Sequence, residues 1–75
     1  MDELKLFIQN EIADLVFTKV DFDESLIKSK VLDSITIVDL LVSIEEKIGK
    51  QIPQYLVTEE NLDSINKIIK TLELI

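Results

Sequence analysis

Residues 33–49 read DSITIVDLLVSIEEKIG, and this stretch predicts the central helix of the chain. Asp33 and Ser34 are both good N-capping types, and Gly49 can take the left-handed conformation just past a helix end. The predicted helix therefore spans about residues 34–48. Its apolar side chains share one arc of roughly 100°, which predicts the side that faces the core. That arc consists of Ile37, Leu40, Leu41, Ile44 and Ile48.

Three more helical segments are predicted around this one. Residues 2–16 repeat apolar side chains at helical spacing, which predicts a first helix. Thr58 begins a capped single turn, which predicts a short helix 3. Ser64 caps a last amphipathic pattern that runs almost to the end of the chain.

The stretch between the first two helices, residues 17–33, breaks the helical period and predicts a long ordered loop. Its predicted anchors are Phe22, Leu26 and Leu32. Hydrophobic residues make up 47% of the chain, and Gly and Pro occur once each, which favours a packed helical fold over disorder. We therefore expect one all-α domain over residues 1–75, with a long loop between helices 1 and 2 and a short helix 3.

The acidic excess limits the classes of partner. Fifteen Asp and Glu residues against eight Lys and Arg give a formal net charge of -7. This charge repels nucleic-acid phosphates and anionic membranes, and it favours partners with a basic surface. Apolar runs are only a few residues long, and the start Met1-Asp2-Glu3 is acidic, so we expect neither a membrane span nor a signal peptide. We predict a cytoplasmic monomer.

Catalysis by the chain itself is disfavoured. His and Cys are both absent, so Ser34 lacks the adjacent base that a nucleophilic serine needs, and no thiolate metal site or disulfide can form. Calcium binding through Asp21, Asp23 and Glu24 is also disfavoured, because the following loop lacks the turn glycine and the twelfth-position acid. We predict no enzyme activity and no metal site, and we expect another molecule to use Ser34.

A second arc of the central helix mixes branched apolar and acidic side chains beside Ser34. Apolar contacts ringed by carboxylates suit a transient docking surface, where charge guides the encounter. The predicted partner-binding residues are Asp33, Ile35, Val38, Asp39, Val42, Glu45 and Glu46. The alternative is that Val38 and Val42 pack beneath the long loop, and the residues alone leave both interpretations open.

The order of several short motifs closely resembles the acyl carrier protein family. These motifs are LDSI at 32–35, VDLL at 38–41, IEEKIG at 44–49, IP at 52–53 and ENLDSINKI at 60–68. The resemblance extends from about residue 22 to residue 72, while the first helix matches only in pattern.

The resemblance implies a four-helix bundle whose Ser34 carries a 4'-phosphopantetheine arm through a phosphodiester. A phosphopantetheinyl transferase installs the arm from coenzyme A, and the family's acid at the Asp33 position helps to recruit it. The terminal thiol of the arm holds acyl or aminoacyl cargo as a thioester. The implied partners are therefore this transferase, an acyl- or aminoacyl-adenylating ligase and downstream acyl-transfer enzymes.

The sequence lacks two glycines that are usual in the acyl carrier protein family, and their absence bears on the loop before Ser34 and on the cargo. Fatty-acid-type members usually carry Gly at the Val31 position, and many aminoacyl carriers carry Gly at the Lys30 position, so the loop before Ser34 is expected to differ in backbone path. The missing glycine at Val31 and the closing stretch 60–65 resemble stand-alone aminoacyl or D-alanyl carriers more than fatty-acid carriers. The alternative function is a small acidic helical interaction module in which Ser34 is only a helix N-cap.

Overall fold

The computed structural model describes residues 2–75. Its elements are, in chain order, α1 (Asp2–Val16), α2 (Ser34–Ile48), a 3-10 turn (Gln54–Leu56), α3 (Glu59–Leu62) and α4 (Ile65–Leu72). This part of the chain contains four α-helices, a long loop between the first two and a single-turn third helix. The predicted all-α fold is confirmed, whereas the 3-10 turn after Pro53 was not predicted.

Both ends of α2 follow from the residues that flank it. The Asp33 side chain accepts a hydrogen bond from the amide of Thr36 (2.8 Å), so Asp33 is the N-cap and Ser34 is the first helical residue. Gly49 adopts a positive φ of 71° and donates its amide to the carbonyl of Glu45 (2.9 Å). A residue without a Cβ takes this conformation without steric cost, so α2 ends here.

The two short C-terminal helices begin at the predicted caps. Thr58 Oγ1 accepts the amide of Asn61 (3.1 Å) at the start of α3. Ser64 Oγ accepts the amide of Lys67 (3.1 Å) at the start of α4. Each hydroxyl satisfies an amide that has no partner within its own helix, which is why helices this short can form.

Helix α1 packs against both α2 and α4, and α3 packs against α4. Their facing apolar sides enclose one buried cluster. Its most completely buried members are Ile8, Ile12, Val20, Leu26, Leu40, Ile44, Ile65 and Ile68. Within residues 2–75, no helix is long and apolar enough to cross a bilayer.

The loop from residue 17 to residue 33 is held against this cluster. The predicted anchors Leu26 and Leu32 are buried, and Phe22 is half-buried with the ammonium of Lys5 5.2 Å from its ring centroid. Val20 is a further, fully buried anchor that was not predicted, and its carbonyl accepts a hydrogen bond from Gln9 Nε2 (2.7 Å). The loop is therefore an ordered part of the fold.

Candidate functional site

Ser34 lies exposed at the first position of α2. Because the neighbouring Asp33 side chain caps the helix, the Ser34 hydroxyl is not needed for that purpose. Asp33 rather than Ser34 is thus the N-cap of α2, which corrects the capping part of the alternative, and the interaction-module function itself stays a hypothesis. What remains at this point of the surface is a primary hydroxyl at the start of a 15-residue helix.

The charge beside this hydroxyl is set by Asp33. Its Oδ1 accepts both the amide of Thr36 (2.8 Å) and the Thr36 hydroxyl (2.7 Å). These bonds, the one from the amide above all, hold the pKa of the Asp33 carboxyl below its ordinary value, so the group is ionised at neutral pH. A phosphodiester at Ser34 would thus meet the positive end of the helix dipole together with one nearby negative charge.

The outward face of α2 continues from Ser34 with three exposed apolar side chains. The exposed fractions are 73% for Ile35, 57% for Val38 and 48% for Val42. The alternative that Val38 and Val42 pack beneath the long loop is therefore wrong. Asp39 and Glu46 are exposed as well. We use the name outward face for these five residues.

Glu45 was predicted with this group, but its surroundings differ. It is half-buried, and its Oε2 accepts a hydrogen bond from the amide of Ile52 (2.7 Å). The side chain therefore fixes the segment that follows α2 rather than projecting freely beside Glu46. No local pattern signals this contact, because it joins residues seven positions apart across a turn.

The structure reveals a residue whose role the sequence did not indicate. Asp63, between α3 and α4, is buried, and its carboxylate accepts hydrogen bonds from the loop that leads to Ser34. The sequence stretch 60–68 contains Asp63 as part of a motif, but nothing in it points to a partner more than thirty residues earlier.

Two non-glycine residues of the loop before Ser34 have a positive φ, Phe17 at its start and Lys30 near its end. Lys30 adopts a positive φ of 65°, a conformation that favours glycine. This is one of the two positions where the sequence departs from the family pattern. The neighbouring departure, Val31, does not adopt a positive φ. The backbone at position 30 is thus in the left-handed conformation even though the residue there is a lysine.

Of the three acidic side chains Asp21, Asp23 and Glu24, the last two accept hydrogen bonds within the fold. Glu24 Oε1 accepts the amide of Asp21 (3.2 Å), and Asp23 Oδ1 accepts Nδ2 of Asn66. Over residues 2–75, no group of three or more His, Cys, Asp or Glu side chains is arranged to hold a metal ion.

Comparison with known proteins identifies solved structures that share this fold. No protein-family model matches the chain, and no curated protein matches it. Among solved structures, the chain is similar to one described as a Bradyrhizobium japonicum glycine:[carrier protein] ligase complexed with glycylated carrier protein. That match has 22% identity and a TM-score of 0.82, and it covers 92% of this chain and 97% of the other.

A second structure from the same organism holds the ligase with its cognate carrier protein and an analogue of glycyl adenylate. Here the identity is again 22% and the TM-score is 0.84, and the match covers 97% of this chain and 99% of the other. Likeness at this level of identity establishes the fold. The predicted resemblance is confirmed in that sense: the chain has the fold of these small carrier proteins.

Proposed function

We propose that residues 1–75 form a single carrier domain that holds acyl or aminoacyl groups as thioesters on a 4'-phosphopantetheine arm attached to Ser34. In this proposal the chain is not an enzyme. It works in the cytoplasm as a monomer, is modified by a phosphopantetheinyl transferase and is loaded by an adenylating ligase. Downstream acyl-transfer enzymes then take the cargo.

The observation that carries the proposal is the exposed Ser34 hydroxyl. Because the Asp33 side chain caps the helix, this hydroxyl does not serve as the cap. The residues present fit the arm, because the modified oxygen lies at a helix start whose partial positive charge favours a phosphodiester. When bound, the arm supplies the thiol that a chain without Cys lacks. The chain supplies the attachment oxygen, a rigid helix beneath it and a surface for partners.

The outward face of α2 is the proposed docking surface for the transferase and the ligase. Ile35 and Val38 offer apolar area beside the attachment point, while Asp39 and Glu46 offer charge for guiding a basic partner. Asp33 is proposed to contribute at the same edge, next to Ser34. Val42 extends the apolar strip toward the other end of the helix.

The proposed cargo is an amino acid or another small carboxylic acid activated as an adenylate. In support, the similar solved structures contain a glycylated carrier and a glycyl adenylate analogue. The core beneath α2 also favours a small cargo, because Ile44 and Ile65 are fully buried and Ile68 is almost so. A long acyl chain inserted between the helices would have to displace such packing contacts.

Intact-mass measurement tests the attachment. A broad-specificity phosphopantetheinyl transferase with coenzyme A should add one group to the wild-type chain and none to Ser34→Ala. Ser43→Ala, which removes a hydroxyl from the same helix, is the matched control and should be modified like wild type. An unmodified wild-type chain, or a group mapped to Ser25, Ser29, Ser43 or Ser64, would contradict the proposal.

Loading assays test the cargo separately. The modified chain is offered to amino-acid-adenylating ligases and, in parallel, to malonyl-transfer and fatty-acid elongation enzymes. Thioester formation with an amino acid is the expected outcome. Efficient elongation of a fatty acyl chain, with no loading by any adenylating enzyme, would overturn the cargo assignment and leave the carrier function intact.

A further inference from the structure

The carboxylate of Asp63 binds three groups of the loop that precedes α2. Its Oδ1 accepts the hydroxyl of Ser25 (2.9 Å), the amide of Ile27 (2.9 Å) and the amide of Lys28 (3.0 Å). These donors lie 35 to 38 positions earlier in the chain. One side chain therefore ties the junction of α3 and α4 to three residues of the loop.

The backbone extends this connection toward the site. The carbonyl of Asp63 accepts the amide of Leu26 (2.6 Å), and the carbonyl of Leu26 accepts the amide of Leu32 (2.8 Å). Leu32 is two residues before Ser34, and both leucines are buried. A continuous series of hydrogen bonds thus runs from Asp63 to the residues that lead directly into the start of α2.

The surroundings of Asp63 make these bonds strong. The residue is 5% exposed, so water competes poorly for its carboxylate. The amide of Lys28 above all, with the amide of Ile27 and the hydroxyl of Ser25, lowers the pKa of the carboxyl to about 2. The group is therefore ionised at neutral pH and forms charge-assisted hydrogen bonds.

The end of the held segment and the residues after it reach the surface on the way to Ser34. Lys28 and Lys30 are both exposed, and Lys30 is in the left-handed conformation that few non-glycine residues adopt. A loop with such a residue has other backbone conformations of similar free energy available unless its neighbours hold it. The bonds from Ser25, Ile27 and Lys28 to Asp63 hold residues two to five positions before Lys30 and supply that restraint.

We propose that Asp63 is a positioning residue for the modification of Ser34: it holds loop residues 25–28 so that the loop and the helix start present one surface to the transferase. This inference rests on the proposed carrier function. Asp63 acts through the loop and does not touch the modified oxygen. Without its carboxylate, the loop occupies the binding-competent conformation for only part of the time.

Partial occupancy has a defined kinetic consequence. The apparent affinity of a partner falls in proportion to the fraction of molecules in the competent conformation, while the chemical step on a bound molecule is unchanged. Asp63→Ala should therefore raise the transferase KM for the carrier by about tenfold and leave kcat within about twofold, if about a tenth of the loops are competent. Asp63→Asn keeps an oxygen acceptor without the charge, and we expect a smaller rise, about threefold.

Ser64→Ala provides the matched control. It removes the cap of α4 at the adjacent position and leaves every bond between Asp63 and the loop in place. All variants are assayed where circular dichroism shows them fully folded. Ser64→Ala should keep KM and kcat within about twofold of wild type, since a folded chain with an intact loop is fully competent.

Amide hydrogen exchange gives a readout that does not depend on modification. In Asp63→Ala, the amides of Leu26, Ile27 and Lys28 should lose protection, while the amide of Ile12 in α1 keeps it. Should Asp63→Ala fail to fold, Asp63→Asn carries both measurements with the smaller expected changes.

The outcomes separate the two proposals. Unchanged exchange at residues 26–28 in both Asp63 variants would overturn the inference, as would lost protection with an unchanged KM, or an equal rise of KM in Ser64→Ala. A wild-type chain that the transferase does not modify would overturn the carrier function itself and, with it, this role for Asp63. Lost protection together with a raised KM and an unchanged kcat supports both.

Discussion

The two faces of α2 carry similar residues in opposite surroundings. On the inward face, Leu40 and Ile44 are buried against the other helices. On the outward face, Ile35, Val38 and Val42 are about half exposed or more. Apolar side chains left in water gain no free energy of folding from burial, so the folded monomer does not account for them.

The carboxylates show the same contrast. Glu45 accepts the amide of Ile52, and Asp63 accepts three groups of the loop, so both stabilise the fold. Asp39 and Glu46 instead lie exposed on the outward face. The difference indicates which residues serve the folded state and which are available to a partner.

The largest effect is expected from truncation of the apolar side chains. Leu40→Ala should lower the free energy of unfolding by about 2 to 5 kcal/mol, because it leaves a cavity in the core. Val38→Ala should change it by no more than about 0.5 kcal/mol, as for other surface substitutions. Leu41, which the sequence placed in the core, is half-buried. The loss of unfolding free energy in Leu41→Ala should therefore lie between those of the other two variants. Urea unfolding measures all three, and similar losses for Leu40→Ala and Val38→Ala would mean that the two faces do not differ.

A second prediction concerns how the stability of the fold depends on pH below 4. The pKa of Asp63 is lowered from 3.8 to about 2, so its stabilising contribution is complete above pH 4 and is lost as the pH falls toward 2. The melting temperature of wild type should therefore fall more steeply over this range than that of Asp63→Asn. Ser64→Ala, which leaves the bonds of the Asp63 carboxylate in place, should fall as steeply as wild type. Parallel curves for wild type and Asp63→Asn would contradict the assigned hydrogen bonds.

Charge reversal tests the exposed side directly. The double variant Asp39→Lys, Glu46→Lys should weaken binding to the transferase by about tenfold at low salt, because it removes attraction to a basic partner. The loss should shrink as salt rises, since exposed charges are screened. Fluorescence anisotropy titrations at several ionic strengths measure both effects. Wild-type affinity in the double variant would place the docking surface elsewhere on the molecule.

The smallest effect separates two adjacent glutamates. Glu45→Ala should destabilise the fold by about 1 kcal/mol, because the amide of Ile52 loses its acceptor. Glu46→Ala makes the same change in helix propensity one position later and should stay within about 0.5 kcal/mol of wild type. Thermal denaturation followed by circular dichroism compares them. Equal stability of the two variants would remove Glu45 from the set of residues that hold the fold.

Local interactions explain what could be predicted. The ends of α2 depend on Asp33 and Gly49, which act on residues within one turn, so a reading of neighbouring residues finds them. The cap at Thr58 and the cap at Ser64 are equally local. By contrast, the burial of Val20 depends on how the loop folds over α1, and no periodic pattern within the loop indicates it.

The sequence by itself therefore determined the helices, their caps, the acidic charge and the place of Ser34 at a helix start. Each of these follows from spacing and capping over a few residues. Only the tertiary structure decided which face of α2 stays exposed, that Glu45 turns to Ile52, and that Asp63 holds the loop before Ser34. Those outcomes depend on contacts between segments far apart in the chain, and their geometry exists only once the helices have packed together.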